Sequence, residues 1–181
     1  MEKKNALVVI DVQREYVTEG RPFFLNGINS SLNNIQSVLE KARKDGWEII
    51  HVRHIQESNL FAKDSEFADF VPGFEPREGE KEIHKDNFSC FSASEFEQLL
   101  EGLKDHIIHI VGYGSTMCCL STIIEGYHKG YEMVFIHDAS RAKQTNSFDE
   151  DSHHDHATEY LATFSKVIST EDVLNSLGVT K

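Results

Sequence analysis

Long apolar runs are missing from this chain. Its first hydrophobic stretch, residues 6–10, ends at Asp11, too short for the core of a secretion signal or for a bilayer span. Cysteines are few, and the three present (Cys90, Cys118 and Cys119) form an odd set with two adjacent. Adjacent cysteines rarely bridge, because the ring they close is strained. No disulfide framework is expected, and a reducing, cytoplasmic setting fits. Basic residues are also scarce: Lys and Arg total 18 against 30 Asp and Glu, a formal net charge of −12. A surface this acidic repels phosphate backbones and anionic lipid, so neither nucleic acid nor membrane is expected as a partner. Repeats and linkers are absent too. The 181 residues are enough for one well-buried domain and short for two.

What is present is an alternation of strand and helix signals. Residues 6–10 (Ala-Leu-Val-Val-Ile) read as a central strand covered on both faces. Residues 31–44 carry Leu32, Ile35, Val38 and Leu39 at helical spacing, and Asp45-Gly46 closes that helix. Strands follow at 47–52, 83–85, 106–111, 131–136 and 167–168. The pattern predicts helices opening at Ser92, which resembles a capping box with Glu95, at Cys118, at a Ser152 cap and at a Ser169–Asp172 cap. Residues 53–82 break the rhythm, with Pro72, Pro76 and the aromatics Phe61, Phe67, Phe70 and Phe74. Such a stretch forms either a lid or binding loop, or a surface excursion pinned by its phenylalanines. The expected fold class is α/β: a single three-layer α/β/α domain on a mostly parallel, Rossmann-like sheet. In open sheets of this kind ligands bind at the carboxyl ends of the strands, where Asp11, Lys85, the turn before Cys118 and Asp138 all fall.

Cys118 follows a glycine-loosened turn, Gly112-Tyr-Gly-Ser-Thr-Met, at a predicted helix start. Unpaired N–H groups and the helix dipole there favour thiolate over thiol, so an activated nucleophile beside oxyanion-holding amides is the expectation. A cysteine buried as a small hydrophobe is the commoner fate, and Cys90 and Cys119 read that way. Asp11 could take the thiol proton and return it to a leaving amine, or be satisfied by loop amides. A lysine such as Lys85 beside the sulfur would lower its pKa; most lysines are simply solvated.

Together the three positions carry a resemblance. Val-Ile-Asp11-Val-Gln13, Lys85-Asp-Asn-Phe-Ser89-Cys-Phe91 and Gly112-Tyr-Gly-Ser115-Thr-Met-Cys118, followed by Gly130-Tyr131 and Asp138-Ala139, resemble the isochorismatase-like cysteine hydrolases from residue 6 nearly to the end. The resemblance implies an Asp11–Lys85–Cys118 triad, a cis Tyr113–Gly114 peptide, an oxyanion hole made by the N–H groups of Gly114 and Cys118, and a homodimer or homotetramer. Departures are Ser115 where the family usually has Thr, and Cys119 where it usually has Val. The nicotinamidase branch carries a metal-binding Asp-x-His after the second strand. Here His51-Val-Arg-His54 lacks the aspartate; His54 and His84 could still meet, but two imidazoles make a weak site. No cofactor and no catalytic metal are expected. In Ser152-His-His-Asp-His156 an ordinary capped polar turn is the better reading, with His153 the member nearest the site by analogy with relatives.

A small-amide or carbamoyl hydrolase working through a thioester is therefore the leading expectation, with a small-molecule substrate. Gln13, Tyr16, Phe24, His54 and Tyr113 are pocket candidates. Ether hydrolysis of the isochorismatase type is the nearest alternative, although such enzymes often lack the cysteine. From other classes come a catalytically silent binding protein and a dinucleotide-binding module. The latter would use Gly112-Tyr-Gly114, but Met117 stands where a third glycine is needed and the fingerprint belongs after the first strand.

Overall fold

A computed structural model describes residues 3–176. Six strands form one sheet in the order β3-β2-β1-β4-β5-β6: β1 (Lys4–Ile10), β2 (Glu48–His54), β3 (Lys81–Lys85), β4 (His106–Tyr113), β5 (Glu132–Arg141) and β6 (Lys166–Ile168). All five strand pairings are parallel. The helices are α1 (Arg14–Val17), α2 (Ile28–Asp45), α3 (Ser94–Glu101), α4 (Cys118–His128), α5 (Glu150–Leu161) and α6 (Thr170–Asn175).

Alternating side chains of the buried strands feed two cores. Ala6, Val8 and Ile10 of β1 meet Phe96 and Leu100 of α3, Ile123 of α4 and Leu161 of α5. Leu7 and Val9 meet Ile35, Val38 and Leu39 of α2 and Val173 of α6. That two-sided burial explains why β1 reads as an unbroken apolar run; each such side chain contributes about 1.5–3 kcal/mol. The three-layer α/β/α prediction is what the structure shows.

Helix ends follow the predicted chemistry in two places and depart from it in two. Gly46 closes α2 at φ 69°, a left-handed position that suits glycine, and Ser169 with Asp172 forms a full capping box on α6. Ser152 does not cap α5. Asp149, three residues earlier, accepts from the Ser152 N–H, and Ser152 lies inside the helix. Ser92 likewise caps nothing: it ends a 3₁₀ turn (Cys90–Ser92) whose cap is Ser89, and α3 starts two residues later.

The 53–82 stretch is pinned rather than loose. Phe61 and Phe74 enter the α2-side core, a 3₁₀ turn spans Glu66–Ala68, and Val71 N donates to Val12 O at 3.0 Å. Gln13 staples the same region, donating through Nε2 to His54 O (3.0 Å) and Ala68 O (2.7 Å) while its Oε1 accepts from His54 N.

Candidate active site

Asp11, Lys85 and Cys118 arrive from three different elements. β1 ends beside β2 and β4, so Asp11 sits centrally; Lys85 ends β3 and pairs with His54 of β2; Cys118 is the first residue of α4. Gly112 allows β4 to close against β1: at φ 111°, a Cβ there would lie 1.9 Å from Ile10 O. Asp11 itself holds φ 52°, a left-handed value that a non-glycine residue adopts at a cost and that is typical of functional sites.

Lys85 Nζ is the hub. Its three N–H groups are shared among four neighbours, Asp11 Oδ2 at 2.9 Å, His54 Nδ1 at 2.9 Å, Asn87 O at 3.1 Å and Cys118 Sγ at 3.3 Å. Asp11, Lys85 and Cys118 are only 0%, 2% and 4% exposed. Burial works against the ammonium, yet Asp11 and then Cys118 hold the Lys85 pKa above its ordinary value. The thiol goes the other way to the expectation. Burial, and then the Asp11 carboxylate, push the Cys118 pKa well up against the pull of Lys85, which favours the thiol over the thiolate. The helix start alone predicts a resting thiolate; the loss of water and the neighbouring negative charge act against it. Asp11 Oδ1 is buried with no hydrogen-bond partner among the described residues, leaving an acceptor free beside the sulfur.

The loop from Gly114 to Cys118 is tightly held. Ser115 N donates to Arg141 O at 2.9 Å, and Met117 N and Cys119 N both donate to Gly114 O at 3.1 Å. The Tyr113–Gly114 peptide is cis. Neither Gly114 N nor Cys118 N donates a loop, turn or cap hydrogen bond among the described residues, which leaves both amides available to an oxyanion.

The remaining predicted residues divide. Tyr16 packs 5.7 Å from Phe61 and 6.0 Å from Phe23, and His54 lies 5.0 Å from Phe61. Burial, followed by Cys118 and Asp11, raises the Tyr16 pKa, which puts its hydroxyl in the field of the triad. Phe23, not Phe24, is the phenylalanine of this cluster. Gln13 spends both amide protons on backbone carbonyls and its oxygen accepts from His54 N, so it serves as a brace for the loop. Tyr113 is fully buried, its hydroxyl paired with Ser31 Oγ at 2.8 Å, so only its ring approaches Tyr16. Asp138 is a structural brace: its Oδ1 accepts from Thr170 N and Oγ1.

His54 and His84 do not meet. As near neighbours of alternating strands they face opposite ways, and His84 turns outward to Glu82 (2.8 Å) and Arg53 (3.0 Å). Asp11, His54 and Cys118 do gather three atoms of metal-ligating type within 4.8 Å, but the Lys85 ammonium is bonded to all three and supplies the positive charge there. In the histidine run His154, not His153, reaches the site loop. Its Nδ1 lies 2.8 Å from Ser115 Oγ, whereas His153 Nδ1 lies 2.7 Å from Lys143 O, outside it. Sequence spacing alone could not separate two adjacent histidines.

Comparison with known proteins agrees with this geometry. The family model "Isochorismatase domain" matches residues 5–172. A secreted isochorismatase effector of Verticillium dahliae is 31% identical over 137 residues, 75% of this chain and 71% of that protein. A maleamate amidohydrolase of Pseudomonas putida is 21% identical over 171 residues, 83% of this chain and 80% of that protein. A solved isochorismatase structure from Pseudomonas putida superposes with a TM-score of 0.84 at 28% identity, covering 95% of this chain and 93% of that one. No helix among the described residues is long and apolar enough to cross a membrane, and the similarity to a secreted protein gives the cytoplasmic expectation no support. The chain belongs to the isochorismatase family of hydrolases.

Proposed function

We propose that this protein is a cysteine-dependent hydrolase that cleaves the C–N bond of a small amide or carbamoyl compound through a thioester. One observation carries the reading: a buried ammonium, Lys85 Nζ, touches both a carboxylate and a thiol, the three groups that acyl transfer needs. Similarity to an amidohydrolase supports the C–N choice.

The steps follow from the charges. Asp11 accepts the Cys118 proton as sulfur attacks the carbonyl carbon, which spares the site a resting thiolate. The carbonyl electron pair moves to oxygen, and the Gly114 and Cys118 N–H groups receive that oxyanion. Collapse breaks the C–N bond, Asp11 returns its proton to the departing amine, and the acyl group stays on sulfur. Water then enters, gives a proton to Asp11 and adds to the thioester. Expulsion of sulfur, reprotonated by Asp11, releases the acid. Lys85 keeps its proton throughout and balances whichever of Asp11 and Cys118 is negative.

Mass spectrometry of protein quenched during turnover of a small-amide panel tests this. An acyl adduct on the Cys118 peptide, absent from Cys118→Ala, is expected. Amide hydrolysis that persists undiminished in Cys118→Ala would reject the scheme.

A further inference from the structure

The wall beside Cys118 carries a donor that the hydrolysis scheme leaves unused. An ammonium has only protons to offer, so His54 Nδ1, 2.9 Å from Lys85 Nζ, must accept. The neutral ring then carries its proton on Nε2. Burial, and next Lys85, lower the His54 pKa with Asp11 opposing, which keeps the imidazole neutral near pH 7. Nε2 makes no hydrogen bond among the described residues, and the His54 residue is 5% exposed. Phe61 lies against the ring and in turn packs 5.5 Å from Phe23 and 5.7 Å from Tyr16. The outcome is a buried aromatic cluster with one N–H donor at its edge.

The same surroundings offer an anion little. Lys85 is committed to its four partners. Arg21 pairs with buried Glu15, Arg53 with Glu82, and Arg141 with Glu150 and Asp151. Lys143, just past the end of β5, rests on the Pro22 carbonyl beside Phe23. A carboxylate pressed against this wall would lose its water without gaining an opposite charge. The overall charge of −12 adds long-range repulsion.

We infer that His54 is a specificity-determining residue whose Nε2–H receives an uncharged carbonyl oxygen of the substrate, remote from the bond that breaks. The preferred substrates are then uncharged small amides that carry a second carbonyl, not amides that carry a carboxylate. This rests on the hydrolase reading above, which it sharpens to a substrate class.

Three probes share one carboxamide and one chain and differ at the far end: succinamide (second carbonyl), isocaproamide (branched alkyl) and succinamate (carboxylate). Wild-type kcat/KM should favour succinamide over each of the others by about tenfold, the worth of one neutral hydrogen bond. In His54→Phe, which keeps a flat ring, the preference over isocaproamide should vanish through KM. Any loosening of Lys85 would instead lower kcat on both alike. His54→Gln, which keeps an acceptor and an N–H, should retain part of the preference. Calorimetric binding of the same probes to Cys118→Ala, with and without the His54 changes, separates recognition from turnover. His54-dependent succinamide binding without hydrolysis by the native protein would sink the hydrolase reading and leave the role of His54 standing. Hydrolysis or binding with no His54-dependent preference, a preference for succinamate, or no binding of any probe would overturn the role.

Discussion

Lys85 Nζ stands 2.9 Å from Asp11 Oδ2 with both side chains wholly withdrawn from solvent. A buried pair of this kind is expensive to break, because the surviving charge has no water to return to. Asp11→Asn or Lys85→Met alone should cost about 3–5 kcal/mol of unfolding free energy, while an apolar double replacement should recover much of that loss. Urea unfolding of the two singles and the double closes the cycle; singles costing under about 1 kcal/mol would mean that water reaches the pair.

The same pair sets opposite signs on thiol reactivity and catalysis. Asp11 raises the Cys118 pKa and Lys85 lowers it. Asp11→Asn should therefore speed iodoacetamide labelling of Cys118 at neutral pH while amide hydrolysis falls by about 10²–10⁴, the worth of a positioned acid–base group. Lys85→Met should slow labelling. In the wild type Cys118, which is 4% exposed, should label ahead of Cys90 and Cys119, both completely buried. Faster labelling of Cys90, or no change in Asp11→Asn, would contradict the charge assignment.

His154 and Ser115 join α5 to the loop whose Gly114 and Cys118 amides the proposed mechanism uses for the oxyanion. His154→Phe keeps the ring volume and removes the bond. The expected result is a drop in kcat of about tenfold with KM little changed, since misplacement of a catalytic loop acts on the transition state. A matched rise in KM with unchanged kcat would assign His154 to substrate binding instead.

Much of this site could be read from the chain because its residues fall where parallel strands end. Asp11 terminates an apolar run, Lys85 ends a short edge strand and Cys118 follows a glycine turn, so the topology alone gathers them. What escaped the sequence depends on relations across space. The helix start at Cys118 suggests a thiolate, but the burial and the Asp11 charge that act against it come from packing. Gln13 and Tyr113 looked like pocket walls, and their polar atoms are spent on His54, Ala68 and Ser31. Ser152 and Asp149 both suit a helix cap, and only the backbone decides that Asp149 takes the role.

Away from the site, Glu80 makes stability depend on acid. Burial opposes its ionisation, but Arg43, the Arg77 N–H and His51 outweigh it and bring its pKa from 4.5 to about 2. A carboxylate with a depressed folded-state pKa stabilises the protein above its unfolded value and stops doing so as pH falls through the folded one. Glu80 should thus contribute on the order of 2–3 kcal/mol near pH 7 that is lost between about pH 5 and pH 2. His51 works in the same direction: burial lowers its pKa, so charging it in acid also costs the fold. Glu80→Gln should flatten the unfolding free energy across that window and lower it at neutral pH. An unchanged acid dependence in Glu80→Gln would place the acid sensitivity in other groups.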